Sequence, residues 1–216
     1  MAEPVELVIF DCDGILVDTE RLAISIDEQV LADAGWPMTK EEIVERFVGR
    51  SDAYMLAEVE RHTGRDLTSE WYTTYAEMYR TRFQAELRPV PGIVEVLDAL
   101  DIDTCVASSG TREKIQFTLG ITGLLDRFDG HIYSAEDVDR GKPFPDLFLH
   151  AADAMDTSPN ACVVVEDSAA GVEAARSASM RVLAYGAGVT PPQKLAGAAT
   201  TVFDNMAQLP ELIARL

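Results

Sequence analysis

Four short stretches carry reactive side chains, three of them immediately after apolar, β-branched runs. Leu7-Val8-Ile9-Phe10 leads into Asp11-Cys12-Asp13-Gly14, and Cys105-Val106-Ala107 leads into Ser108-Ser109-Gly110-Thr111. Gly141-Lys142-Pro143 carries one of only four lysines in the chain, and Cys162-Val163-Val164-Val165 leads into Glu166-Asp167-Ser168. Two carboxylates in one tight turn repel each other unless a cation neutralises them. Hard oxygen ligands of this kind suit Mg²⁺. A hydroxyl just ahead of a helix start, with unbonded backbone N–H groups beside it, suits an anion. A lysine before a proline sits on extended backbone and offers a fixed charge to a carboxylate or a phosphate. Glu166 and Asp167 would complete a metal shell begun by Asp11 and Asp13.

Taken singly, each stretch also fits a plainer role. Asp-x-Asp-Gly fits a polar turn, Ser-Ser-Gly-Thr and Asp-Ser fit helix N-caps, and a loop lysine fits solvent. Taken together they have one order along the chain, and all follow strand-like runs. A doubly wound sheet gathers the C-terminal ends of its strands along one edge. Carboxylates for a metal, a hydroxyl for an anion and a lysine to bridge them make a phosphoryl-transfer site.

The positioning elements follow from the same pattern. Strand-like runs fall at Leu7–Phe10, Thr104–Ala107, His131–Tyr133, Cys162–Val165, Arg181–Ala184 and Thr201–Phe203. Helical stretches intervene at Gly92–Leu100, Thr111–Leu119, Pro145–Met155, Ala169–Ala178 and Met206–Leu216. Alternating β and α elements predict an α/β fold, a doubly wound parallel sheet with helices on both faces. From Asp18 to about Arg88 the alternation stops. Helical patterns run over Glu20–Ala34, Glu41–Val48, Asp52–Thr63 and Ser69–Ala85, the last with Trp71, Tyr72, Tyr75, Met78, Tyr79 and Phe83 as a buried face. An all-helical insertion therefore follows the first strand, joined through Gly14–Thr19 and Arg88–Gly92, a layout that would let it open and close as a lid. The expected division is a core of residues 1–16 and 88–216 with a cap of residues 17–87.

The 216 residues carry a net charge of −19, with 18 basic against 37 acidic side chains. That balance argues against a nucleic acid partner and against an anionic membrane surface. Met1–Phe10 has neither a basic region nor a long apolar segment, so it does not read as a signal peptide. The three cysteines, Cys12, Cys105 and Cys162, form no C-x-x-C pair, and a reduced, cytoplasmic setting is expected.

The four motifs, in this order and with the helical insertion after the first, resemble the haloacid dehalogenase superfamily of phosphohydrolases, and within it the β-phosphoglucomutase-like branch. Phe148-Leu149-His150-Ala151-Ala152 and Gln208-Leu209-Pro210-Glu211-Leu212 add to the likeness. The resemblance implies a Rossmann-like core with a helical cap and a Mg²⁺-dependent phosphatase acting on a small phosphorylated sugar or sugar acid, 6-phosphogluconate among the candidates. Asp11 would be the nucleophile and Asp13 the general acid and base. Ser108 and the Ser109 N–H would hold the phosphoryl oxygens, and Lys142 would hold Asp11 and the phosphoryl group together. Mg²⁺ would bind to Asp11, the Asp13 carbonyl and Asp167, with Glu166 directly or through water. Glu20 and Arg50, with Ser51, are the substrate-binding candidates of the cap, in a turn around Gly49. The expected partner is a small phosphorylated metabolite, met by a monomer without membrane or nucleic acid.

Two departures bear on the chemistry. Metal-free dehalogenases lack the second aspartate, so Asp13 argues against dehalogenation. Phosphoglucomutases of this branch carry a histidine soon after the first motif; here Glu20-Arg21-Leu22-Ala23 stands there and no histidine occurs until His62. Their cap arginine falls on Asp52, with Arg50 close by. Both favour hydrolysis over the mutase alternative.

Overall fold

The computed structural model describes residues 3–48, 50–65 and 70–216; the side chains of residues 52, 70–72 and 74 fall outside that description. Gly49, Ser69 and the side chains of Trp71 and Tyr72 therefore lie outside the described residues. Six strands form one parallel sheet: β1 (Leu7–Phe10), β2 (Asp103–Ser108), β3 (Ile132–Ser134), β4 (Cys162–Glu166), β5 (Arg181–Tyr185) and β6 (Thr200–Phe203). Their order is β3-β2-β1-β4-β5-β6. The chain thus winds outward to one side from β1, then returns to start again at β4. The β1–β4 boundary is the switch point where ligands of such sheets bind. Register puts Phe10 opposite both Val106 and Val165. Asp11 and Glu166 therefore leave the sheet side by side, with Ser108 on the neighbouring strand.

Every residue of β1 and β4 is buried, as expected for strands covered on both faces. Alternation along the strands divides the core in two. Val8, Phe10, Val106, Val163 and Val165 face one apolar layer; Leu7, Ile9, Cys105, Ala107 and Val164 face the other. The first layer is closed by α5 (Ile93–Ala99), α6 (Arg112–Ile121) and α10 (Leu209–Ala214). The second is closed by α7 (Asp146–Ala154), α8 (Ala169–Ser177) and the short α9 (Pro192–Leu195). All three cysteines are free and buried. No helix among the described residues is long and apolar enough to cross a membrane.

Between β1 and α5 come α1 (Glu20–Ala34), α2 (Lys40–Phe47), α3 (Asp52–Thr63) and α4 (Glu70–Glu86). Ile24, Leu31, Ile43, Phe47, Met55 and Val59 give α1, α2 and α3 a small apolar cluster of their own, whereas Phe83 of α4 packs with the first layer of the core. The two chain crossings into this region are tied to each other: Asp18 N donates to Arg88 O at 3.0 Å, and Val90 N to Leu16 O at 3.1 Å.

Two elements differ from the sequence reading. The stretch Met206–Leu216 is not one helix: a 3₁₀ turn, Met206–Gln208, precedes α10. Pro210 has no N–H to donate to Met206 O, so a continuous α-helix loses that bond. The four-residue α9 is too short to show a hydrophobic period and was not expected.

Phe128 fills the layer beneath β1, fully buried and edge-on to Phe10 with ring centroids 6.4 Å apart. Phe128→Ala should lower unfolding free energy by about 3–5 kcal/mol, read as a shift of the urea midpoint at unchanged m-value. A shift below about 1 kcal/mol would mean the layer is not packed as described.

Candidate active site

At the switch point one ammonium is shared by two carboxylates. Lys142 Nζ donates to Asp11 Oδ1 at 2.8 Å and to Glu166 Oε1 at 2.7 Å. Lys142 is 5% exposed and its ammonium lies over the Phe148 ring, 4.9 Å from the centroid. Glu166 Oε2 accepts from Ser168 N at 2.6 Å and from Ser168 Oγ at 2.9 Å, so this fully buried carboxylate is held by three donors. Ser168 in turn caps α8 by accepting from Gly171 N at 3.0 Å. A side chain at Gly171 would collide with Glu166, its Cβ only 1.7 Å from Oε1. The small residues of α8 are therefore part of the site's construction.

Asp11, Glu166 and Asp167 offer carboxylate oxygens within 4.8 Å of one another. Glu20, from the first turn of α1, is buried beside Asp167. Four buried carboxylates thus face one buried ammonium. Burial, then repulsion from Glu166 and Asp13, pushes the Asp11 carboxyl up to about 7 against the pull of Lys142. Burial pushes Glu20 up to about 8, with Asp13 and Asp11 adding to it. Burial and the neighbouring Glu20 and Glu166 hold Asp167 well above the usual carboxylate range. Burial disfavours the charged form of Lys142, but Asp11 and Glu166 outweigh it and raise its pKa.

Such an excess of buried negative charge fits a divalent cation. Asp167 Oδ2 is buried and meets no donor among the described residues, unless a proton bridges it to Glu20. Gly14 supplies the cradle: at φ +77° its Cβ would stand 2.1 Å from Asp167 Oδ2. Asp11 and Asp167 fit as Mg²⁺ ligands. Asp13 turns its own carboxylate elsewhere. Its Oδ1 accepts from Thr19 Oγ1 at 2.6 Å, and Lys114 Nζ stands 3.3 Å from Oδ2.

Ser108 is buried at the end of β2, where its Oγ accepts from Gly110 N at 3.2 Å. A hydroxyl that accepts from one side keeps its proton to donate. Asp11, Asp13, Glu20, Arg50, Ser108, Ser109 and Asp167 together line a small recess of about 40 Å³. Arg50 reaches it from the helical region, with Nη1 donating to Lys142 O at 3.3 Å and the guanidinium 5.2 Å from the Tyr54 ring centroid. Ser51 is not among the residues that line the recess; it caps α3, its Oγ accepting from Tyr54 N at 3.2 Å.

Asp13, Glu20 and Arg50 also border a larger cavity of about 300 Å³ between the helical region and α6. It is the size of a small-molecule site. Lys114 borders it too, and sequence reasoning missed this residue: only the tertiary fold brings the first turn of α6 to Asp13. His62 does not border it; the ring stacks on Trp36 at 4.1 Å.

Residues 8–185 match the family described as haloacid dehalogenase-like hydrolase. The chain belongs to that family. It is 33% identical over 211 residues to a 6-phosphogluconate phosphatase of Escherichia coli (strain K12), covering 96% of this chain and 94% of that one. It is 31% identical over 179 residues to a phosphorylated carbohydrates phosphatase of Thermotoga maritima, covering 81% and 82%. A solved haloacid dehalogenase-like protein of unknown function from Agrobacterium tumefaciens superposes with a TM-score of 0.81 at 36% identity, with 98% of each chain covered. This haloacid dehalogenase-like chain is accordingly an enzyme, a hydrolase in the same family as named phosphatases.

Mg²⁺ should stabilise the protein by mass action, by about 2.7 kcal/mol at a hundredfold excess over Kd, and so raise its melting temperature. Asp167→Asn should leave the metal-free melting temperature level or higher, because it removes a buried like charge, and should erase the Mg²⁺ shift. A full Mg²⁺ shift in Asp167→Asn would contradict this reading of the cluster.

Proposed function

We propose that this protein is a Mg²⁺-dependent phosphatase that hydrolyses a small phosphorylated sugar or sugar acid through an aspartyl-phosphate on Asp11. The observation that carries it is the ammonium of Lys142 set between Asp11 and Glu166, beside the orphaned oxygen of Asp167. The names of the Escherichia coli and Thermotoga maritima relatives support the substrate class, and 6-phosphogluconate is the first ester to test.

Lys142 engages Asp11 Oδ1, which leaves Oδ2 to attack phosphorus. Asp13 protonates the departing alkoxide, and the alcohol leaves. The same carboxylate then takes a proton from water as the water attacks phosphorus. Asp11 departs as the free carboxylate and inorganic phosphate is released. Splitting the reaction in two lets one acid and base serve both halves. Ser108 Oγ and the Ser109 N–H donate to the phosphoryl oxygens. Glu166, held by Ser168, positions Lys142. Mg²⁺, when bound to Asp11, Asp167 and the Asp13 carbonyl, supplies the charge that offsets repulsion between a carboxylate and a phosphate dianion. Residues 17–87 act as a cap over a core of residues 1–16 and 88–216, and Arg50 closes the recess from the cap side.

Phosphate release from a panel of sugar phosphates, with and without Mg²⁺, tests the proposal. Release should require Mg²⁺. Asp13→Asn should lose about 10²–10⁴ in rate, the usual worth of general acid and base catalysis, and Asp11→Asn should lose more. Full Mg²⁺-dependent turnover by Asp11→Asn would reject the mechanism. Glucose 6-phosphate formed from glucose 1-phosphate and a bisphosphate primer would instead identify a mutase.

A further inference from the structure

One fully buried hydroxyl has no part in the mechanism above. Ser134 is the last residue of β3 and has no exposed surface. In the parallel pairing of β2 with β3 it stands opposite Ser108, the last residue of β2. Ser134 Oγ donates to Gly110 O at 2.7 Å and accepts from Glu136 N at 3.1 Å. A hydroxyl has one proton to give, and here it goes to the Gly110 carbonyl.

Gly110 lies in the turn that joins Ser108 and Ser109 to α6, and it is held on both sides. Its carbonyl is held by Ser134, and its N–H donates to Ser108 Oγ at 3.2 Å. Ser134 thus reaches Ser108 Oγ through a single residue. Farther along, Arg112 N donates to Glu136 Oε2 at 2.8 Å, and Arg112 Nη2 donates to both oxygens of Asp137. Asp137 Oδ2 also accepts from Ser134 N at 2.8 Å. The Arg112 side-chain contact with Asp137 and the bond to Glu136 are exposed, where ion pairs contribute little. The bond from Ser134 to Gly110 is buried, where a hydrogen bond is stronger.

The peptide from Gly110 to Thr111 is where that bond matters. A trans peptide directs its C=O and N–H to opposite sides. Glycine puts little in the way of a rotation that exchanges the two. Such a flip would set a carbonyl oxygen where the turn has an N–H, and an acceptor repels a phosphoryl oxygen. It would also shift Gly110, whose N–H holds Ser108 Oγ. Losing the Gly110 carbonyl's partner in the interior makes the present orientation less favourable.

We infer that Ser134 is a positioning residue for the phosphoryl-binding turn: acting through Gly110, it fixes Ser108 Oγ and the backbone of the turn beside it. The inference rests on the phosphatase reading above and adds a residue to it. Ser134 touches neither the reacting atoms nor the carboxylates of the metal cluster, which follow β1 and β4.

The test uses Ser134→Ala and Ser134→Cys, the second keeping the side chain's length while weakening the donor. Three quantities are read well below each melting temperature. They are the Kd of orthovanadate by calorimetry with Mg²⁺ present, kcat/KM for 6-phosphogluconate and glucose 6-phosphate, and the Mg²⁺ shift of the melting temperature. Vanadate adopts the five-coordinate shape of phosphoryl transfer, so it reports the turn without turnover. In Ser134→Ala vanadate should bind about tenfold more weakly or worse. For both esters kcat/KM should fall by one common factor of about 10–10², the cost of a small misplacement. Ser134→Cys should lie between the two, and it decides alone if Ser134→Ala does not fold. The Mg²⁺ shift should keep its full size in both. Unchanged vanadate affinity in a folded variant, or a Mg²⁺ shift lost along with it, would reduce Ser134 to a packing role and overturn the inference while leaving the phosphatase reading intact. An unaltered protein that binds no vanadate and releases phosphate from no ester would reject that reading, and this inference with it.

Discussion

The structure turns on a charge imbalance that the fold creates and only partly relieves. Asp11, Glu20, Glu166 and Asp167 are all withdrawn from water, and Lys142 is the one ammonium buried among them. Burying an unpaired carboxylate costs several kcal/mol, and removing one partner of a buried ion pair leaves that cost uncompensated. Lys142 spans two of the acids, while Asp167 retains an oxygen that meets no donor among the described residues. Protons on the raised carboxyls of Asp11, Glu20 and Asp167 relieve part of this imbalance, and a further positive charge entering the cluster would relieve the rest. The cluster is therefore better understood as half of a binding site than as a structural ion pair.

Much of the surrounding architecture serves to hold those charges together. Strand order places β1 next to β4, so Asp11 and Glu166 emerge as neighbours without any special turn. Gly14 and Gly171 act by lacking a side chain, one leaving room for Asp167 and the other for Glu166. Ser168 joins two tasks, capping α8 and fixing the carboxylate that fixes Lys142. Arg50 extends the construction across the gap to the helical region, its guanidinium resting on the backbone of Lys142 itself. The helical region is thereby linked to the lysine that carries the charge balance.

The parts legible from sequence were those written in local pattern. Val163, Val164 and Val165 announce a strand buried on both faces, and Asp11-Cys12-Asp13-Gly14 announces acidic groups at a strand end. The parallel sheet and the juxtaposition of Asp11 with Lys142 followed from strand order together with the family resemblance. What stayed hidden depends on contacts between distant elements. Nothing near Lys114 in sequence signals that it will meet Asp13, and nothing near Gly110 signals Ser134, twenty-four positions away. Glu20 was legible as a candidate, yet its burial beside Asp167 comes only from the way α1 enters the fold. Pro210 was visible throughout; its power to divide the C-terminal helix became clear only with the backbone bond it lacks.

The central claim is that the Asp11 carboxylate, steadied by Lys142, is itself the group that attacks phosphorus. The stereochemical course at phosphorus tests this most directly, using an ester made chiral there with oxygen isotopes and turned over in isotopically distinct water. Two successive in-line displacements predict overall retention of configuration. Inversion would mean that water attacks in a single step and that Asp11 carries no phosphoryl group.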